Sequence, residues 1–192
     1  MLVLFRPSAV AAAGRLNSSV SQQIMIIRNF IPGEEETLRD VFASSVRDLA
    51  GNFYTPEQIN AWAPIAYDRQ EWASKLARLR PFVAVSDGQV AGYADLQGSG
   101  YIDHFFVSGK FPGRGIGSAL MSHVCGVAVS RGLSELSADV SLSAESFFFK
   151  NGFVVVERQT VVVRGVQLAN ARMRKELLAN NSFKPNPLRG SA

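Results

Sequence analysis

The chain has 192 residues, 47% of them hydrophobic, and a formal charge of +4 from 20 Lys and Arg against 16 Asp and Glu. That length fits one domain with enough apolar side chains for a sizeable core, and no apolar run is long enough to span a bilayer. A single cysteine excludes an internal disulfide, two histidines leave no plausible metal cluster, and no Lys/Arg cluster interleaved with aromatics argues for nucleic acid.

Met1–Phe5 is apolar, Arg6 and Pro7 interrupt it, and Ala9–Ala13 gives way to the polar stretch Asn17–Gln23. This is too short and broken for a secretory leader. Residues 1–24 are expected to form a weakly ordered extension, with Met25 as an alternative start. Met25–Phe30 reads as a strand, ended by Pro32. Glu34–Ala50 is an amphipathic helix, acidic in its first turn, with Leu38, Val41, Phe42 and Val46 at helical spacing. Thr55 caps a second helix that starts at Pro56 and runs through Trp62, and Asp68 caps a third over Arg69–Leu79. Phe82–Val85 and Val90–Leu96 form a hairpin around Asp87-Gly88. Tyr101–Val107 reads as one continuous strand, with Tyr101, Asp103, Phe105 and Val107 on one face and Ile102, His104 and Phe106 on the other. A helix follows over Ile116–Arg131, holding Cys125 as a small packed hydrophobe. Then come a strand over Ser134–Val140 and a short helix over 143–151 capped by Ser143. Val154–Val163 pairs with Gln167–Lys175 through Arg164-Gly165. The stretch 178–192, with Pro185 and Pro187, is expected to be a disordered tail.

Two segments carry the chemistry. The first is Tyr101–Val107 running into Pro112-Gly113-Arg114-Gly115-Ile116-Gly117 and a long apolar helix. The start of a helix presents unpaired N–H groups and a partial positive charge, and side-chain-free residues let a phosphate approach them. The turn lacks the Gly-Lys-Ser/Thr ending of a P-loop and is too tight for a dinucleotide-binding G-x-G-x-x-G. The second is Ala144–Phe153, a short helix ending in Gly152-Phe153 that enters another strand.

In this order the two segments resemble the acyl-CoA loop and the following Gly-Phe signature of the GNAT acetyltransferases, over roughly Met25 to Leu177. The loop pattern is Gln/Arg-x-x-Gly-x-Gly/Ala; Gly115 and Gly117 match it, and Pro112, which has no N–H, stands where Gln or Arg is usual. The resemblance implies an α/β (α+β) fold: a mixed, mostly antiparallel sheet of about seven strands flanked by helices, its fourth and fifth strands splayed. The GNAT domain would then span residues 25–177.

It implies acetyl-CoA as cosubstrate, with no metal. Main-chain contacts are expected from Phe105, Phe106 and Val107, and pyrophosphate contacts from Gly113, Arg114, Gly115, Ile116, Gly117 and Ser118. Ser141 stands where a CoA-contacting Asn is frequent, and Phe148 where many members have a tyrosine that protonates the leaving thiolate. Phenylalanine has no proton to give, so Tyr93, Tyr101 or a water is left for that role. Asp103 is the expected general base, because a carboxylate among aromatics must be paired or have a raised pKa. It also matches the position of a carboxylate that is the base in several members. His104 is its rival, being near neutral in pKa but on the opposite face of a regular strand. Tyr54, Trp62 and Tyr93 are expected to contact the acceptor, and Trp72 to pack in the core.

The resulting expectation is a cytoplasmic enzyme, monomer or homodimer, that acetylates a primary amine of a small molecule or peptide without nucleic acid or membrane as partner. Two alternatives stay open. One is a catalytically impaired CoA-binding or regulatory module, suggested by Pro112 and Phe148. The other is an acetyltransferase acting on a protein or peptide amine.

Overall fold

The computed structural model describes residues 24–177; the expected extension and tail otherwise lie outside the described residues. Strand β1 (Met25–Asn29) leads into helix α1 (Glu35–Leu49), then α2 (Pro56–Trp62) and α3 (Arg69–Leu79). Local chemistry sets these boundaries. Thr55 and Gln58 form a reciprocal capping box at the start of α2, with Pro56 in the first turn. Asp68 accepts from the N–H groups of Gln70 and Glu71 at the start of α3.

Strands β2 (Phe82–Ser86) and β3 (Gln89–Ala94) follow, then β4 (Tyr101–Ile102) and β5 (Phe105–Val107). The β2–β3 turn has positive φ at both Asp87 (49°) and Gly88 (79°), the geometry whose twist suits a tight hairpin. Helix α4 (Ile116–Ser130), strand β6 (Glu135–Ser141), helix α5 (Glu145–Lys150) and the hairpin of β7 (Val154–Val163) with β8 (Val166–Glu176) complete the fold. That last hairpin turns through Arg164 (50°) and Gly165 (80°) in the same way.

The strands form two four-stranded sheets, ordered β1-β2-β3-β5 and β4-β6-β8-β7. Every pairing is antiparallel except β4 with β6. Helices α4 and α5 cover one core, which contains Phe105, Leu120, Phe147, Phe148 and Phe153. Helices α1 and α3 cover a second core on the other side, which contains Leu38, Phe42, Val46, Leu76, Tyr93 and Phe106.

Two expectations are corrected here. Tyr101–Val107 is not one strand: it is interrupted at Asp103-His104, and its halves belong to different sheets. Ser143 does not cap α5; Ala144 occupies the cap position, and the Ser143 hydroxyl lies 3.0 Å from that of Ser141. No helix among the described residues is long and apolar enough to cross a membrane.

Candidate functional site

The interruption at Asp103-His104 builds the site. Tyr101 and Ile102 pair with Ser137 and Ala138 of β6, after which the ladder stops. The chain then pairs with β3 instead, Phe105 opposite Ala94 and Val107 opposite Gly92. The strands running through 101–107 and through β6 therefore splay after two pairs, and β5 is left as the edge of its sheet. An unpaired strand edge offers alternating N–H and C=O groups to an extended ligand.

Asp95 holds the irregular step in place. Its Oδ1 accepts from the His104 N–H at 2.6 Å, and its own N–H donates to the His104 carbonyl at 3.0 Å. The carboxyl is fully buried, and Oδ2 has no partner among the described residues. Burial, with the nearby charge of Asp103 adding, pushes its pKa up to about 6; the hydrogen bond from the His104 backbone opposes this. Between about pH 4 and 6 the folded protein keeps a proton that the unfolded chain has lost. Stability should therefore fall as pH rises through that window, by ~3 kcal/mol at most. Asp95→Asn retains the acceptor without the charge. Urea midpoints measured from about pH 4 to 7.5 should lose this slope in the variant. An unchanged slope would mean that Asp95 ionises freely in the fold.

Because of the step, Asp103 and His104 face the same way, which strict alternation forbids. Both line a pocket of about 400 Å³ together with Tyr101 and Phe106. Phe105 points to the opposite side, into the core of Phe147 and Phe148. The facing argument that set His104 apart from Asp103 therefore does not hold. The two differ instead in environment. Asp103 is about one-third exposed and pairs with Lys75 of α3 at 3.3 Å. It satisfies the pairing that a carboxylate near aromatic rings requires, while the buried carboxyl of raised pKa is Asp95. His104 is 5% exposed, with Nδ1 3.2 Å from the Tyr93 hydroxyl. Burial, with the charge of Lys75 adding, holds its pKa well below the ordinary value, so the ring is neutral near pH 7.

Tyr101 donates to Asp139 at 3.3 Å. Burial and the charges of Asp139 and Asp103 raise its pKa, which keeps its proton in place. Trp62 is in the wall, and so is Trp72, which also donates from Nε1 to the Glu35 carbonyl at 2.8 Å.

Two expected acceptor contacts lie elsewhere. Tyr93 is completely buried behind His104. Tyr54 is buried with its hydroxyl used twice, donating to the Ala169 carbonyl at 2.7 Å and accepting from the Leu142 N–H at 2.9 Å. The sequence reading also missed Arg39, Phe42 and Tyr67, which line the pocket. Arg39 carried a signal: it is a charged residue three positions from Phe42 on the apolar stripe of α1.

The glycine turn follows β5 in the chain and leads into α4. Gly113 and Gly115 have φ of 70° and 71°, and a Cβ at either would meet no atom within 4 Å. Gly115 is the N-cap of α4. At the first turn of α4 the N–H groups of Ile116, Gly117 and Ser118 have no intrahelical acceptor. A helix start of this kind fits an anionic group such as a pyrophosphate. Arg114 stands beside it, paired with Asp87 at 2.8 Å in an exposed and therefore weak contact. Ser141 is buried at the end of β6 beside Ser143. Phe148 does not face this region. It is fully buried against Phe105, Phe147 and Phe153, which closes it off from any ligand.

Known proteins share this fold, and some share part of the sequence. The profile of the Acetyltransferase (GNAT) domain matches residues 52–177. YafP of Escherichia coli (strain K12), an uncharacterized N-acetyltransferase, is 36% identical over 148 residues, covering 77% of this chain and 93% of that protein. A GCN5-related N-acetyltransferase from Rhodopseudomonas palustris superposes with a TM-score of 0.76 at 33% identity, over 79% of this chain and 95% of that one. A PaiA N-acetyltransferase from Thermoplasma acidophilum, solved with coenzyme A, has the same fold at a TM-score of 0.64 and 19% identity, over 80% of this chain and 99% of that one. With its splayed strands, free β5 edge and glycine-capped α4, the chain belongs to the GNAT family of N-acetyltransferases.

Proposed function

We propose that the chain transfers an acetyl group from acetyl-CoA to a primary amine in a ternary complex, with Asp103 as general base. The observation that carries this reading is that β5, whose outer edge is free, has the Asp103 pocket at its start and the glycine turn that opens α4 just after its end. Acetyl-CoA supplies the activated acyl thioester. Phe105, Phe106 and Val107 offer their outer backbone edge to its pantetheine arm, and Gly113 to Ser118 their N–H groups to its pyrophosphate.

Lys75 orients Asp103 at the pocket wall. Asp103 takes a proton from the acceptor's ammonium, which frees the nitrogen lone pair to attack the acetyl carbon; the nitrogen gives its second proton to solvent as the amide bond forms and the carbon–sulfur bond breaks. The electron pair leaves with sulfur, which takes up a proton from a water, while the Tyr101 hydroxyl keeps its own proton on Asp139. Neutral His104, packed against Phe42, Trp72, Tyr93 and Phe106, forms the adjoining part of the wall.

Acetyl-CoA at about 100 times its dissociation constant should stabilise the fold by ~2.7 kcal/mol, a rise in melting temperature of roughly 5–10 °C. Gly115→Val, which loads a side chain onto a positive-φ residue in the turn, should abolish most of that rise. Release of free CoA with a panel of amines and peptides then reads the transfer itself. A melting temperature indifferent to acetyl-CoA, with no complex by calorimetry, overturns the reading.

A further inference from the structure

Three of the seven charged residues on the pocket wall pair with an opposite charge among the described residues. Lys75 is engaged by Asp103, Asp139 by Arg172 and Tyr101, and the Arg164 guanidinium by the Ala61 carbonyl. Arg39 is different. Its side chain emerges from α1 into the stack of aromatic rings, with its guanidinium carbon 4.8 Å from the Phe42 ring centre, 4.4 Å from Tyr67 and 5.6 Å from Trp72. The residue is 5% exposed. Nη2 donates to the Pro64 carbonyl at 2.5 Å, but Nη1 is buried with no acceptor, and no described carboxylate forms an ion pair with the group. Leaving a guanidinium donor both dry and unpaired is costly. The rings offset part of that cost and fix the plane of the group.

We infer that Arg39 anchors a carboxylate of the acceptor, so that the acceptor is an amino acid or a related amino-carboxylate with its amine toward Asp103. This deepens the acetyl-transfer reading and rests on it. A planar guanidinium with a free donor is built to take a carboxylate. Phe42, Trp62, Tyr67, Trp72 and Phe106 give the intervening wall an apolar and aromatic character suited to the body of such a molecule. The negative group at the amine end and the positive group in the aromatic stack give the pocket the two poles of a zwitterion. A simple amine would leave the Arg39 donor unsatisfied and so bind less well.

The test compares acceptors that differ only in the carboxylate: L-phenylalanine with phenethylamine, and L-leucine with isopentylamine. In the wild type kcat/KM should favour each amino acid by at least about 10-fold, the worth of a hydrogen bond to a charged group. In Arg39→Gln that ratio should collapse toward unity. Arg47→Gln, which breaks a similar contact from Arg47 to the Ala63 carbonyl, should keep the wild-type ratio and so controls for a merely structural effect. Should Arg39→Gln fail to fold, the wild-type ratio, and calorimetric titration of wild type with the same two pairs, decide the matter. Equal kcat/KM within each pair, or a ratio that survives Arg39→Gln, overturns the anchor while leaving acetyl transfer intact. Absence of any acetylation and of acetyl-CoA binding overturns the transfer reading instead; calorimetry with L-phenylalanine and phenethylamine then still judges Arg39, and equal or absent heats for the two refute it.

Discussion

Asp103→Asn should cut turnover by about 100-fold or more, the usual worth of a positioned general base, while leaving the stabilisation by acetyl-CoA unchanged. Asparagine keeps the size and the hydrogen-bonding oxygen but cannot accept the proton. The loss should shrink as pH rises, because more of the acceptor then arrives already deprotonated. Lys75 gives the experiment a second side. It pairs with Asp103 at 3.3 Å, so Lys75→Met should free the carboxylate to move and lower activity less severely than removal of the base. Full activity in Asp103→Asn, measured with a verified acceptor, would transfer the role to His104 or to a water beside it. His104 then becomes the next residue to test, since it lines the same wall.

The largest effect on stability is expected at Gly100. Its φ is +84°, and a Cβ there would sit inside the contact distance of the Glu135 carbonyl oxygen, a backbone atom that cannot rotate away. Its own carbonyl accepts from the Ser137 N–H at 3.0 Å, at the start of the only parallel pairing among the described strands. Gly100→Ala should therefore cost ~3 kcal/mol or more, from backbone strain and from displacement of β6 together. Gly113→Ala is the comparison, because it shares the positive φ but has open space around the added carbon. It should cost only about 1 kcal/mol. Urea denaturation of the two variants separates close approach from conformational preference; equal losses would show that the Glu135 carbonyl yields.

Local signals in the sequence located most elements. Thr55-Pro56, Asp68, Asp87-Gly88 and Arg164-Gly165 each set a boundary through contacts within a few residues, and each does so in the structure. The glycine turn was legible for the same reason, because its conformation depends on the absence of its own side chains. What could not be read was set by distant partners. Asp95, just past the end of β3, pulls on the backbone of His104 and breaks the alternation of Tyr101–Val107, and nothing within that segment announces it. Tyr54 reads as an aromatic near a pocket until Leu142 and Ala169 are seen to occupy its hydroxyl. Phe148 sits at a position aligned with ligand chemistry, yet three other phenylalanines enclose it.

The irregular step at Asp103-His104 also bears on how such a protein can change over generations. A residue inside a regular strand answers to the pleat: its partners across the ladder and its neighbours on one face all restrict what may replace it. Asp103 and His104 belong to neither ladder. Their backbone is secured by Asp95, so the pairings on either side do not depend on which side chains they carry. Substitution at Asp103, about one-third exposed, can therefore alter the wall that meets an acceptor without touching either ladder, whereas His104 is held by its packing among Phe42, Trp72, Tyr93 and Phe106. Here the backbone is released from the pleat, and what limits the two side chains is the chemistry of the pocket at Asp103 and packing at His104.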